Sequence, residues 1–229
     1  MSLQAEEKEK SGLELKNKEM QISLLKSQIN PHFLFNTLNS ISMLVGTDKG
    51  KARKVIGELS DVFRYALESH EGQFVTLRNE LEFIENYIRI QQVRFGDRLT
   101  YQKNVSADVM NMKIPPMILQ PLVENAVKYG IAPKDEGGTI ELTIKPSDKG
   151  ILFRVSDDGL GINAKKVLDG NSTGVGMENT DRRLKSIYGK SAKLNVTAGE
   201  DGYSVSFVVP QRWIESRDDR LILMENDLT

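Results

Sequence analysis

The sequence predicts an α+β chain: an N-terminal helical hairpin that pairs with a second copy into a four-helix bundle, then an α/β sandwich around a mixed, mainly antiparallel sheet. Three observations predict it. Up to residue 96, apolar residues recur at helical spacing, as in Phe33, Leu34, Leu38, Ile41 and Leu44 and again in Val55, Ile56, Leu59, Val62, Phe63 and Leu67. Beyond residue 96, short alternating segments such as 99–105 and 203–209 are bounded by Gly- and Pro-bearing turns. Among those segments, Pro115-Pro116 and Gly174-Val175-Gly176 each introduce a helical stretch, so helices are available to cover one face of a sheet.

Residues 5–30 are rich in Glu, Lys and Leu. Leu15, Ile22 and Ile29 repeat every seven residues, with Leu25 on the neighbouring seam, which reads as a helix entering a dimeric coiled coil. Pro31 interrupts the pattern. A helix then runs to Gly46, residues 46–50 read as a turn, and residues 51–69 make a second helix stopped by Gly72. Two such helices cannot cover their own apolar stripes, hence the pairing with a second copy. Residues 76–96 continue helical through Leu77, Leu81, Ile84, Tyr87, Ile88 and Phe95, and Gly96-Asp97 marks the expected domain boundary. A strand at 99–105 and a helix at 117–129 follow. Segments 139–145 and 151–155 flank a turn at 146–150, and segments 192–198 and 203–209 flank one at 199–202, with a helix over 174–188 between the two hairpins. The expected organisation is a linker helix at 1–30, a dimerisation hairpin at 31–96, the sandwich at 97–210 and an extension at 211–229. In that extension Trp213 and Ile214 suit packing on the domain or a partner equally.

Composition narrows the function. With 31 Lys and Arg against 32 Asp and Glu, the formal charge is -1, so no global field draws nucleic acid or an anionic membrane, and neither is expected as a partner. The absence of cysteine removes disulfides, thiol nucleophiles and thiolate metal sites. Only His32 and His70 are histidines, too few for a histidine-rich metal cluster. No stretch approaches the ~20 apolar residues of a bilayer crossing, and residues 1–30 lack a signal-peptide layout. A soluble, cytoplasmic chain without membrane contact of its own is expected.

Three motifs carry chemistry. In the run from Leu122 to Gly130, Leu122, Val123, Ala126 and Val127 bury one helix face, while Glu124, Asn125 and Lys128 project elsewhere. The Asn125 amide oxygen is a hard neutral donor suited to Mg2+, and a lysine such as Lys128 neutralises phosphate oxygens. In Asp157-Asp158-Gly159-Leu160-Gly161, two glycines allow close approach of a flat ligand, and a carboxylate accepts from an exocyclic amine. Gly174-Val175-Gly176 opening a helix offers free amides to phosphate. Each alone is ordinary: a polar helix face, an Asp-Gly turn, a flexible helix start.

In this order and spacing the three motifs resemble the N, G1 and G2 boxes of the GHKL (Bergerat) nucleotide-binding fold. Neither a Walker loop nor a dinucleotide-type glycine loop is present. The resemblance implies ATP and Mg2+ as cofactors, with Asn125 holding the metal, Asp157 reading the adenine amino group, and Lys128 on the terminal phosphates. It places Tyr129 near the nucleotide, Gly159 and Gly161 along the base pocket, Gly174 and Gly176 at the lid, and residues 163–173 as the lid, from which Lys165 and Lys166 reach phosphate or simply solvent. Upstream, the run from Gln28 to Asn39 around His32 is similar to the phosphoacceptor box of LytS-type sensor histidine kinases. That similarity extends through Tyr87, Arg94-Phe95, the run from Gln120 to Asn125, Gly176-Met177-Glu178-Asn179 and Arg183-Leu184.

The family resemblance implies a homodimer in which His32 takes the γ-phosphoryl group of ATP and passes it to a receiver-domain aspartate of a response regulator. Stimulus-sensing and membrane-anchoring parts of such a protein would lie outside this chain. An ordinary imidazole titrates near pH ~6.5, so a histidine nucleophile needs little base assistance at neutrality. Larger histidine-kinase families place an acid directly after the histidine, where this chain has Phe33. Glu124 is the candidate base or orienting group, with Asn30 and Asn36 as hydrogen-bonding alternatives; Asn36, one helical turn after His32, also suits orienting a water in the reverse reaction. His70, near a helix end, reads as structural. A conformational ATPase would share the nucleotide boxes but has no use for the His32 segment, and would carry glutamate where Pro121 stands. A dimeric nucleotide-binding scaffold without phosphotransfer is the other alternative.

Overall fold

The computed structural model describes residues 31–69, 74–161, 175–199 and 202–211. It divides into two compact units, Met1–His70 and Glu71–Thr229. The expected coiled coil at 1–30, His70, the lid with Lys165 and Lys166, Gly174 and all but Gln211 of the extension lie outside the described residues.

In the first unit, helices α1 (Pro31–Thr47) and α2 (Lys49–Glu68) pack against each other and are joined at Asp48 alone. The turn expected over 46–50 contracts because the Asp48 carboxylate caps α2, accepting from Lys51 N at 2.9 Å, while Asp48 N donates to Leu44 O at 2.7 Å. Phe33, Thr37 and Ser40 are buried on α1, and Ala52, Val55, Leu59, Val62 and Ala66 on α2. The hydroxyls of Thr37 and Ser40 tolerate burial by donating back to Phe33 O and Asn36 O, at 2.8 and 2.9 Å. Phe35, Leu38 and Met43 on α1 and Ile56 and Leu67 on α2 stay about half exposed or more.

In the second unit, β1 (Val75–Thr76) pairs antiparallel with β3 (Lys113–Ile114), and Thr76 caps helix α3 (Leu77–Phe95) by accepting from Asn79 N at 3.2 Å. A five-stranded sheet is built from β2 (Leu99–Val105), β4 (Gly138–Ser147), β5 (Gly150–Asp157), β6 (Asn195–Gly199) and β7 (Gly202–Pro210), in the order β2-β4-β5-β7-β6. The β2–β4 pair is parallel and the other three are antiparallel, as expected of a mixed, mainly antiparallel sheet. Ile140, Leu142, Ile144, Phe153, Val155, Val205 and Phe207 are buried on the face toward the helices, while Glu141 and Arg154 are exposed. Phe153 and Phe207 oppose each other in the register and stack at 4.7 Å with planes 5° apart. Helices α4 (Gln120–Asn125) and α5 (Val175–Tyr188) contribute Leu122, Val123, Leu184 and Tyr188 to the same core.

The division into compact units falls at 70/71, so α3 packs within the second unit: its Glu80 and Gln92 side chains bond Met117 N, Leu119 N and Leu99 O, and Leu77, Ile84 and Ile88 are fully buried. Gly96, with φ 59°, ends that helix. Three expectations shift. The helix expected over 117–129 starts only at Gln120 and passes at Ala126–Ile131 into a wider π-type turn, in which Ala132 N reaches Val127 O at 2.9 Å. Strands β4 and β5 run into the expected 146–150 turn, leaving Asp148-Lys149 as a two-residue connection. Strand β6 starts three residues late because Lys190–Ala192 forms a tight turn that buries Ala192.

Truncating one member of the stacked pair removes contacts on both sides of the central strands. Phe153→Ala is expected to lower unfolding free energy by about 3–5 kcal/mol, read from the urea midpoint of the sheet unit.

Candidate functional site

The site forms where the end of β5 meets the π-type turn after α4. Asp157, the last residue of β5, is held by ladders on both sides, opposite Ile140 of β4 and Tyr203 of β7. Asp157 as a whole is only 7% exposed, and its Oδ1 accepts from Gly159 N at 3.1 Å. Burial pushes the Asp157 carboxyl up to about 6; the Gly159 N–H pulls it down, the Asp158 charge adds to the rise, and the Lys134 charge opposes it. Tyr203 lies near enough that the Asp157 charge raises its hydroxyl, though burial is the larger cause.

Glycines make this corner possible. A Cβ on Gly130 would stand 2.3 Å from Asp157 Oδ1, and one on Gly159 would stand 2.3 Å from the Gly130 backbone. The two backbones therefore press together beside the carboxylate, a close approach that side chains would prevent. Gly161 has φ 53° and sits against the Gly199 and Gly202 carbonyls, so the chain leaves β5 by a left-handed turn. Asp158 has partners of its own: its Oδ1 accepts from Thr139 N at 2.6 Å, and its carbonyl accepts from Lys134 Nζ at 2.8 Å.

On α4, Glu124 accepts from Gln120 Nε2 at 2.9 Å. Burial raises its carboxyl pKa, and the Gln120 bond and Lys128 charge partly offset that. Asn125 closes α4 and makes no capping bond to the turn it opens. Lys128 is exposed, with its Nζ 4.7 Å from the Tyr129 ring centroid. Gly176 near the start of α5 is exposed, its nearest neighbour for an added Cβ being Pro121 Cβ at 3.9 Å, so α4 and α5 begin side by side. Thr180 secures that start by donating to Gly176 O at 2.9 Å.

The structure thus brings Gly130, Asp157, Gly159 and Gly161 into one corner and Gly176 beside α4. In the first unit, His32 is exposed in the first turn of α1, and Asn36 Nδ2 lies 3.2 Å from its Nδ1 and 3.1 Å from its Nε2. Sequence reasoning missed Lys134, whose charge acts on Asp157, Tyr203, whose hydroxyl is raised in part by the Asp157 charge, and Glu80, whose carboxylate holds the loop before α4. Glu80 had a signal: it interrupts the apolar stripe of Leu77, Leu81, Ile84 and Ile88.

Known proteins share both parts. The histidine kinase family matches residues 20–99, and the histidine kinase-, DNA gyrase B- and HSP90-like ATPase family matches residues 115–212. The sensor protein LytS of Staphylococcus haemolyticus is 36% identical over 90% of this chain and 38% of its own length. The sensor histidine kinase YpdA of Escherichia coli is 35% identical over 87% of this chain and 35% of its own. The chain therefore spans little more than a third of these relatives. A solved histidine kinase domain from Erythrobacter litoralis EL346 is 14% identical, covering 90% of this chain and 99% of that one at TM-score 0.49. The ATPase match implies use of ATP, and among the described residues no helix is long and apolar enough to cross a membrane. The chain thus joins a histidine kinase segment to a histidine kinase-, DNA gyrase B- and HSP90-like ATPase segment, and nearly all of it is similar to the matching part of LytS-type sensor proteins.

Proposed function

We propose that this chain is the kinase core of a two-component sensor: it phosphorylates itself on His32 from ATP and then passes the phosphoryl group to an aspartate of a separate response regulator. The observation that carries this reading is an exposed histidine with a side-chain amide at its ring nitrogens, on the same chain as an ATPase-family corner built on a buried carboxylate. Neither a conformational ATPase nor a nucleotide-binding scaffold has a use for that histidine.

In this reading Asp157 accepts from the adenine amino group, and the bare backbones of Gly130 and Gly159 let the flat base lie close. Gly161, Gly174 and Gly176 line and close the pocket, Lys128 meets the terminal phosphates, and Tyr129 lies beside the nucleotide. Among the described residues no group of three or more His, Cys, Asp or Glu forms a metal cage. One amide oxygen, from Asn125, fits a Mg2+ that keeps phosphate and water as its other ligands. When bound, that ion neutralises charge on the triphosphate.

A His32 ring nitrogen attacks the γ-phosphorus with its lone pair, the bond to the β–γ bridging oxygen breaks, and ADP leaves with the electron pair. The proton on the opposite ring nitrogen is then released. Phe33 replaces the acid found in larger families, so Asn36 is the nearest orienting group. With its amide oxygen turned to the ring it accepts from the protonated nitrogen and leaves the other lone pair free. Glu124 suits the proton acceptor, since burial brings a carboxylate closer to neutrality. A second copy covers Phe35, Leu38, Met43, Ile56 and Leu67, completing a four-helix bundle. Such a homodimer works in the cytoplasm, where ATP is supplied, as part of a membrane-anchored sensor.

Incubated with γ-labelled ATP and Mg2+, the wild-type chain is expected to take up acid-labile label and His32→Gln to take up none; label that persists in His32→Gln refutes the mechanism. Acidification from pH 7.5 to 5.5 protonates a carboxyl titrating at about 6 and is expected to weaken nucleotide binding about fourfold, by calorimetry, whereas Asp157→Asn binds weakly at both. Because the folded-state pKa lies above the ordinary 3.8, this group lowers stability as pH rises through the interval between the two values. Nucleotide-free Asp157→Asn is therefore expected to melt above wild type at pH 8 and to lose that advantage near pH 4.

A further inference from the structure

The loop that leads into α4 holds a conformation its sequence does not favour. Among the described residues Met117 alone is a non-glycine with positive φ, at 57°, a left-handed region that L side chains enter at a cost. It follows the buried Pro115 and Pro116 and stands three residues before Gln120, where α4 begins. Something must hold it there.

Two side chains from separate helices do. Glu80 on α3 is 0% exposed, and it spreads both carboxylate oxygens over this loop: Oε2 accepts from Met117 N at 2.8 Å and Oε1 from Leu119 N at 3.0 Å. From the other side Arg183 on α5 donates from Nη1 to Pro116 O at 2.7 Å. A fully buried carboxylate is an expensive way to fill a core position, and an apolar residue would serve packing alone. Its two amide partners belong to the strained residue and to the residue that caps α4. Six residues on from the cap lies Asn125, with Glu124 before it, so the loop's conformation sets the axis on which both are carried.

We propose that Glu80 and Arg183 are positioning residues that clamp residues 116–119 in the left-handed turn at Met117 and thereby aim Asn125 and Glu124 at the triphosphate. This rests on the nucleotide reading above. The clamp acts on the start of α4 and leaves the base corner alone, because Asp157 is held by the β4 and β7 ladders and Gly130, beyond the far end of α4, is packed directly against Gly159 and Asp157. Loss of the clamp therefore harms recognition of the Mg2+-bearing triphosphate and spares recognition of the base.

The test uses the full chain, with calorimetric titration of Mg-ATP and, separately, of adenosine, alongside circular-dichroism melting and amide hydrogen exchange over 117–125. Glu80→Gln is expected to weaken Mg-ATP binding about tenfold, to leave adenosine binding unchanged, and to speed exchange over 117–125. Met117→Gly accepts positive φ freely, so in the Glu80→Gln background it is expected to restore most of the affinity and the protection. Unchanged Mg-ATP binding in Glu80→Gln, equal loss of both ligands, or failure of Met117→Gly to rescue would each overturn the clamp. Should Glu80→Gln not fold, Arg183→Met reaches the same loop from α5 and carries the same expectations. If the wild-type chain binds neither ligand, the nucleotide reading falls, while exchange over 117–125 and its rescue still decide the clamp.

Discussion

A carboxylate buried at the end of a central strand is the constraint around which the second unit is arranged. Asp157 keeps one backbone N–H as its hydrogen-bond donor, and lost solvation outweighs that bond, so its proton affinity rises. Such a group has acceptor capacity to spare, which suits recognition of an amine on a flat base. It stays in place because β5 is paired on both sides and because two chain segments approach it as bare backbone at Gly130 and Gly159. A methyl group at either glycine would collide with Asp157 or with the opposing backbone, so the corner tolerates little change.

Everything else in this unit brings a second set of groups up to that corner. The α4 segment is short, opens from a strained residue and ends in a π-type turn whose extra residue delivers Gly130 to Asp157. Its orientation depends on α3 and α5, which reach it through Glu80 and Arg183. Helix α3 thus works as a brace for the nucleotide-binding half and directly follows the segment that leaves α2. A change transmitted along the chain from the first unit would meet α3 before any other helix of the second.

The first unit has the opposite character. Its two helices bury a narrow stripe containing Thr37 and Ser40, small enough for close packing, and leave Phe35, Leu38, Met43, Ile56 and Leu67 outside. An isolated pair of helices with so much apolar surface in water calls for a partner surface. His32 lies exposed at the head of α1, with the Asn36 amide within hydrogen-bonding distance of its ring.

Periodicity alone made the helix pair, the strands and the mixed sheet legible, since side-chain spacing of 3.6 or 2 follows from backbone geometry. The order of the N, G1 and G2 boxes, through the family resemblance, pointed to Asn125, Asp157, Gly159 and Gly161, and the last three do share one corner, because the Asp-Asp-Gly-Leu-Gly turn is a local feature. What spacing does not encode is which distant groups share a burial. The assignment of α3 to the sheet unit, the bonds from Glu80 to amides 37 and 39 residues away, the pull of Lys134 on Asp157 and the effect of Asp157 on Tyr203 arise only when chain segments pack. Positive φ at Met117 belongs to the same class, for methionine carries no local preference for it and only tertiary contacts make it the least costly conformation.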